Sequence, residues 1–108
     1  MAIPNLDVFQ VIADPSRRQI LQMLTKDSYN INGLAEKFDM SRPAVSKHIS
    51  ILYAAGFINI NEIGRDRLCS LNESGFIELR NWINHFDKFW NSKLKNLETV
   101  LKSKKKLQ

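Results

Sequence analysis

The chain has 108 residues, of which 44% are hydrophobic, and this length and composition suit one compact domain with a modest core. No apolar run approaches the roughly 18 residues that a membrane span needs, and the first residues lack the basic-then-apolar order of a signal peptide, which predicts a cytoplasmic protein. The formal net charge is +5, but four of the 16 basic residues lie within residues 102–106. The net charge alone is therefore weak evidence for a nucleic-acid partner.

Side chains that bind metals or sense oxidants are scarce. Cys69 is the only cysteine and cannot form an internal disulfide, while His48 and His85 are the only histidines. Because structural zinc needs several ligands of these types, we expect no metal site and no cofactor. Cys69 is predicted to be a small apolar residue on a strand, and redox sensing is the alternative.

Two short helices are predicted at the start of the chain. Apolar residues recur at helical spacing within residues 3–12, which predicts a first helix that ends near Ala13. Asp14 is a suitable N-cap and Pro15 is tolerated in a first helical turn, so a second helix begins there. Its buried stripe is expected to lie behind an exposed Arg17.

Two further helices follow a polar loop over residues 26–30. Residues 31–38 have the apolar spacing of a third, short helix. Ser41 offers an N-cap hydroxyl to a fourth helix, whose apolar face continues to about Ala54 before Gly56 ends it. The tight turn between these two helices is typical of a helix-turn-helix.

The period of the apolar residues changes after the fourth helix. Two β-rich runs flank Gly64-Arg65-Asp66, which predicts a hairpin, and a long helix with a continuous apolar stripe follows. The sequence therefore predicts a mainly α fold with a β-hairpin, a winged helix-turn-helix, in the order of four helices, two strands and a final helix. This single domain would span residues 1–108, with the helix-turn-helix at about 31–54, the wing at about 57–71 and a C-terminal dimerisation helix at about 73–102.

The start of the fourth helix and the hairpin are the predicted DNA-binding surface. A recognition helix in the major groove presents its N-terminal side chains to base edges, and small or cationic groups suit that groove. The wing arginines would reach a phosphate or the minor groove. For His48, packing or hydrogen bonding within the fold is the alternative. The predicted contacts are Ser41, Arg42, Pro43, Ser46, Lys47, His48, Arg65 and Arg67.

The terminal segments carry more large apolar side chains than one small domain can cover, which predicts a homodimer. The alternative is that these rings all pack within the monomer. The predicted interface residues are Ile3, Leu6, Phe9, Trp82, Phe86, Phe89, Trp90 and Leu97.

The strings ADPSRRQIL, INGLAEKFDMSRPAVSKHISIL, AAGFI, GRDRLCSL and FDKFWNSKLKNLETVL resemble the arsenic-repressor (ArsR/SmtB-type) family of bacterial transcriptional regulators. The resemblance covers nearly the whole chain and is most specific in the recognition helix and the wing. It implies a homodimer that binds a palindromic operator and represses until an effector binds.

The family's metal sites are not matched. Where the family senses metals, it uses a cysteine pair on the helix before the recognition helix, or Asp and His paired with His and Glu across the last helix. The third helix here has no Cys, and the last helix offers His85, Asp87 and Glu98 without a second His. The chain thus resembles the metal-independent branch, and the resemblance leaves its effector open.

Enzymatic activity is not expected, because the sequence has no Gly-rich phosphate loop and no recognisable triad motif. The alternative to a DNA-binding regulator is a winged-helix module that binds protein or RNA, since a fold does not fix its use. Binders of single strands rely on exposed aromatic side chains for stacking, and the recognition helix has only Tyr53 near its far end. Duplex DNA is therefore the favoured partner.

Overall fold

A computed structural model describes the backbone of residues 5–106 and the side chains of residues 5–102. The chain divides into two compact units, one up to Glu78 and one from Leu79 onward. In the described part of the chain, no helix is long and apolar enough to cross a membrane. The elements are α1 (Val8–Ile12), α2 (Pro15–Leu24), β1 (Tyr29–Asn30), α3 (Ile31–Lys37), α4 (Arg42–Ala54), β2 (Ile58–Ile63), β3 (Asp66–Leu71), α5 (Glu73–Asn84) and α6 (Asp87–Lys106).

The expected winged helix-turn-helix is confirmed, with two additions to its elements. The sheet has three strands instead of two, and the C-terminal helix is divided into α5 and α6. The core of the first unit contains the buried faces that the apolar spacing predicts. Its fully buried side chains include Val11, Ile20, Leu34, Val45, Ile49, Leu52, Phe57, Ile58 and Cys69.

Carboxylate caps determine where α1 and α2 begin. The Asp7 side chain accepts a hydrogen bond from the Gln10 backbone N–H at 2.8 Å, and the Gln10 side chain accepts one from the Asp7 N–H at 2.9 Å. This capping box begins α1 after Asp7, so Leu6 precedes the helix instead of lying in it. Asp14 caps α2 in the predicted manner, with Pro15 in the first turn.

The sheet is antiparallel, with β3 between β1 and β2. The residues of β1 lie in the stretch that was predicted to be a loop, and they pair with β3 through Tyr29 opposite Cys69. Two residues are too short a run to show a period-2 pattern, so the sequence carried no signal for this strand. Between β2 and β3, Gly64 has a φ of 61°, whereas the φ of Arg65 is not positive. A type I′ turn needs a positive φ at both central residues, so the hairpin fits a type II′ turn, which has Gly at the first of them.

The end of α4 is fixed by a Schellman motif. The Gly56 N–H donates to the Tyr53 carbonyl at 3.1 Å, and the Phe57 N–H donates to the Leu52 carbonyl at 3.0 Å. Gly56 has a φ of 83°, which a residue without a Cβ adopts readily. The motif reverses the chain directly into β2.

One continuous C-terminal helix was predicted, whereas the structure breaks it after Asn84. The His85 N–H is shared between the carbonyls of Asn81 and Trp82, each at 3.2 Å, and the Phe86 N–H donates three residues back, to Ile83, at 3.0 Å. Such bonds tighten a last helical turn. The apolar stripe continues through the break, which is why apolar spacing alone could not locate it.

Candidate nucleic-acid interface

The recognition helix α4 presents its first turn to solvent. The Ser41 hydroxyl accepts a hydrogen bond from the Ala44 N–H at 3.3 Å, which makes Ser41 the N-cap. Arg42, Pro43 and Lys47 are exposed. The opposite face of the helix is buried, as the apolar spacing predicts, so the cationic side chains of the first turns remain available to a partner.

The wing places Arg65 at the tip of the β2–β3 turn and Arg67 on β3, and both side chains are exposed. Asp66 lies between them. The hairpin is held by pairing along its whole length, from Ile58 opposite Leu71 to the last pair before the turn. Its tip is therefore a defined projection that carries both arginines, with Glu62 opposite Arg67 on the neighbouring strand.

A small cleft of about 70 Å³ brings the recognition helix and the wing together. Arg42 lines it from the start of α4, and Arg65 and Arg67 line it from the hairpin. In the described part of the chain, an ion pair joins Arg17 and Asp14, and none of these three guanidinium groups forms one. The cleft therefore has a net positive lining that suits an oxyanion. Its remaining lining residues are Asn30, Ile31, Asn32 and Asp66.

Asn32 is a site residue that the sequence prediction missed. It is exposed in the first turn of α3, and it lines the same cleft as the arginines. Asn30 beside it is the N-cap of α3 and accepts a hydrogen bond from the Gly33 N–H at 2.7 Å. The available signal was Asn30, because Asn is a favoured capping residue and a helix that begins after Asn30 has Asn32 in its first turn.

Arg17 is buried, with 8% of its surface exposed, and the expectation that it is exposed is wrong. Its Nε donates to the Val11 carbonyl at 2.7 Å, and its Nη2 donates to the Gln10 carbonyl at 3.3 Å. Its Nη1 lies 3.8 Å from the Asp14 carboxylate. The end of α1 therefore supplies acceptors that allow the guanidinium to be buried.

His48 joins this buried cluster from the recognition helix. Its Nδ1 lies 3.4 Å from Nη1 of Arg17, and its side chain is half-buried. Burial lowers the pKa of His48, and the positive charges of Arg17 and Lys47 lower it further against the opposing effect of Asp14. The structure thus places His48 in a hydrogen-bonded position, which was the alternative to a phosphate contact.

Asp14 is the acidic member of the cluster. Desolvation alone would raise the pKa of its carboxyl. This effect is outweighed by hydrogen bonds from the backbone N–H groups of Arg17 and Ser16 and by the charges of Arg17 and His48. The pKa of Asp14 is therefore lowered. Asp14 therefore remains ionised at neutral pH, where it caps α2 and faces the guanidinium.

Cys69 is fully buried on β3, where the sequence predicted a small apolar residue. Burial raises the pKa of its thiol, and Arg67 opposes this only in part. A buried thiol with a raised pKa has little thiolate at neutral pH. Within the described residues, no group of three or more His, Cys, Asp or Glu side chains is arranged to hold a metal ion.

The second unit exposes the apolar side chains that were predicted to form a dimer interface. Trp90 and Leu97 are 56% and 53% exposed, and Phe89 is exposed to a similar extent. The break before α6 leaves an apolar groove of about 410 Å³. It is lined by Trp82, Ile83, Phe86, Asp87, Phe89 and Trp90.

The N-terminal members of the predicted interface have different environments. Leu6 is half-buried and Phe9 is 38% exposed. Ile3 lies outside the described residues. The structure thus describes the C-terminal part of the predicted interface in more detail than the N-terminal part.

Comparison with known proteins relates this chain to a family. A family model described as "Bacterial regulatory protein, arsR family" matches residues 14–59. The chain is 35% identical over 80 residues to the transcriptional repressor SdpR of Bacillus subtilis, a match that covers 74% of this chain and 89% of that protein.

Solved structures are also similar. The crystal structure of an ArsR family transcriptional regulator matches with a TM-score of 0.70 and 34% identity over 79% of this chain and 88% of that one. The homodimeric winged helix-turn-helix DNA-binding domain of Mb0332 from Mycobacterium bovis matches with a TM-score of 0.61 over 75% of each chain. Its identity is 17%, so this second likeness shows the fold alone.

Proposed function

This chain belongs to the arsR family of bacterial regulatory proteins and is a DNA-binding transcriptional regulator, and we propose that it represses transcription in the cytoplasm as a homodimer bound to a palindromic operator. The observation that carries the proposal is the shared cleft, where an arginine of the recognition helix meets the arginines of the wing. The family consists of regulators and not of enzymes.

The proposed DNA contacts divide into two groups. Arg42, Ser46 and Lys47 enter the major groove from α4, where Arg and Lys can donate to guanine and Ser can donate or accept. The wing residues Arg65 and Arg67 contact phosphate or the minor groove. Ser41 and Pro43 complete the groove-facing turn, and His48 lies at its edge.

Repression and dimerisation have separate support. The relative SdpR is a transcriptional repressor, and the Mb0332 domain is homodimeric. The apolar side chains along α6 remain exposed in the single chain, and burying them against a second copy would provide the driving force for association.

Selection of bound sequences from a pool of random duplexes tests the proposal. A symmetric dimer should enrich a palindrome whose half-sites are about 10 base pairs apart, because the two recognition helices would lie roughly 34 Å apart. Single-stranded RNA serves as the competitor control, and a reporter gene downstream of the selected sequence shows the direction of regulation. An enriched site without two-fold symmetry, effective competition by RNA, or activation of the reporter would each contradict the part of the proposal that it addresses.

A further inference from the structure

The contact of Arg17 with His48 favours one tautomer of the imidazole. A guanidinium carries only N–H donors, so its contact with the imidazole at 3.4 Å requires His48 Nδ1 to accept. The guanidinium is held in place by its two hydrogen bonds to the carbonyls at the end of α1. Arg17 is 92% buried and has little freedom to turn away.

A neutral imidazole that accepts at Nδ1 carries its proton on Nε2. The lowered pKa of His48 is consistent with this neutral form at physiological pH. The charged groups around the ring are Arg17 of α2, Asp14 at the N-cap of α2, and Lys47 of α4. A second proton on the ring would have to lie on Nδ1, directly opposite the guanidinium.

The Nε2–H of His48 is accessible and has no partner within the described residues. No hydrogen bond of Nε2 is found there, and the same residues contain no buried side-chain nitrogen or oxygen that lacks a partner. Nε2 is therefore not fully buried. It follows Lys47 on the recognition helix, next to the exposed surface that carries the proposed DNA contacts.

We propose that Arg17 holds His48 as the Nε2–H tautomer and that this N–H donates to a phosphate of the DNA backbone. The inference rests on the proposed DNA-binding function. Arg17 is a positioning residue that does not touch DNA, and His48 is the residue that does. The two roles that the sequence left open for His48, a contact within the fold and a contact with phosphate, belong to its two nitrogens.

A neutral donor has a distinctive signature. Lysine and arginine contacts with phosphate displace counterions, and each contributes about 0.9 to the slope of log affinity against log salt concentration. A neutral imidazole N–H bonds to the phosphate without adding charge. Loss of the His48 contact should therefore lower DNA affinity while the salt slope stays constant.

Two substitutions of His48 distinguish the roles of its two ring nitrogens. In His48→Asn the amide oxygen can replace Nδ1 as the acceptor for Arg17, but no atom reaches the place of Nε2. In His48→Gln an amide N–H can reach that place. On a mixed-sequence duplex near neutral pH, we expect His48→Asn to bind about tenfold more weakly with an unchanged salt slope, and His48→Gln to lose less.

Arg65→Ala is the matched control, because loss of a cationic phosphate contact should change the slope by about 0.9 for each contact. Affinity of His48→Asn within about twofold of the unsubstituted protein would overturn the inference, and so would a slope change like that of Arg65→Ala. Failure of the unsubstituted chain to bind any duplex would overturn the proposed function instead.

Nitrogen NMR of the free protein tests the tautomer without DNA and without a variant. The His48 resonances should identify a protonated Nε2 and an unprotonated Nδ1. Addition of the mixed-sequence duplex should shift the Nε2 resonance, and a folded Arg17→Lys variant should show a mixture of tautomers. A proton on Nδ1 in the free protein would overturn the positioning role of Arg17, even where the Arg17 variant fails to fold.

Discussion

Arg42 and Arg65 line one cleft but project from different elements, and this difference predicts different effects on DNA binding. Arg42 begins the recognition helix and is proposed to donate to a base. Arg42→Ala should cost about 1–3 kcal/mol on the operator and relax the preference at one base pair in each half-site. Arg65→Ala should weaken binding to operator and random DNA alike, and it should flatten the salt slope by about 1.8 for a symmetric dimer with two lost contacts.

Titrations of both variants with operator and random duplexes across a salt series provide the measurement. Lys26→Ala, at an exposed residue that does not line the cleft, is the control for a general loss of positive charge. Equal loss on both DNAs with a changed slope for Arg42→Ala would make Arg42 a phosphate contact. Base reading would then belong to Ser46 or Lys47.

The lowered pKa of His48 also predicts how acid affects the free energy of unfolding. Its pKa in the folded chain lies below the ordinary value of 6.5, because burial and the nearby cations disfavour the imidazolium. The unfolded chain therefore binds more protons as the pH falls through this value, so the stability present above it is progressively lost. The lowered pKa of Asp14 predicts a second loss as the pH falls through 3.8 and below.

Urea unfolding at a series of pH values measures this dependence. In His48→Asn the loss between about pH 7 and pH 5 should be smaller, because the titrating group of that range is gone. The loss at lower pH, which depends on Asp14, should remain. Identical profiles for the two proteins would show that His48 does not carry the acid sensitivity.

The burial of Arg17 shows why side-chain roles were only partly predictable. Helical spacing in α2 separates an apolar face from a polar one, and it assigned Arg17 to solvent. The acceptors that bury it are the Gln10 and Val11 carbonyls, which belong to α1 and become available only when the two helices pack. The exposed Lys47 was placed correctly because its environment is determined by its own helix.

At the scale of elements, Gly75 provides a close contact between the start of α5 and Phe57, the residue before β2. A Cβ at this position would lie 2.7 Å from Cδ1 of Phe57. The Phe57 ring is fully buried and packs edge-on against Phe76 with ring centroids 5.0 Å apart, so a shift of the ring would disturb this packing. Overpacking costs about 1–3 kcal/mol, which exceeds the up to about 1 kcal/mol that alanine gains over glycine in a helix.

Gly75→Ala should therefore lower the free energy of unfolding despite its better helix propensity. Urea denaturation of Gly75→Ala and of the neighbouring, exposed Ser74→Ala compares the two positions directly. The Ser74 variant should remain within about 0.5 kcal/mol of the unsubstituted protein. A Gly75 variant of equal or higher stability would mean that the Phe57 ring can shift at little cost.

The elements themselves were largely predictable, and the exceptions have a common cause. The helix-turn-helix and the hairpin have local signals in the Ser41 cap, the glycine after α4 and the Gly64 turn. By contrast, β1 exists because β3 offers a free edge for pairing. The break after Asn84 depends on backbone hydrogen bonds that leave the apolar pattern unchanged. Both exceptions arise from partners that sequence spacing does not encode.

At the scale of the whole molecule, the scarcity of metal-binding side chains predicts a regulator that does not respond to metals. The only cysteine is buried, and α3 contains no Cys or His. Zinc, cadmium or arsenite at stoichiometric concentration should therefore leave the operator affinity unchanged. Fluorescence anisotropy with and without each metal measures this, and EDTA-treated protein is the control. A large shift with any of the three would assign a role to Cys69, His85 or the C-terminal lysine-rich segment.

The exposed stripe of α6 predicts the oligomeric state. Trp90 and Leu97 lie seven residues apart, which places them on one face of the helix, and more than half of each side chain is exposed in the single chain. Apolar surface of this extent on a small domain is a mark of an interface. Analytical ultracentrifugation should therefore find a dimer at micromolar protein concentration, and a monomer there would contradict the proposal.

Lysine substitutions show which surface holds the dimer together. Trp90→Lys and Leu97→Lys would place charges in the proposed interface, so they should produce folded monomers. Ser92→Lys adds the same charge to an exposed position off this stripe and should remain dimeric. Because a dimer binds both half-sites in one complex, the monomers should bind the operator about 100-fold more weakly or worse. A Trp90 variant that stays dimeric, while Ser92→Lys dissociates, would move the interface to the other face of α6.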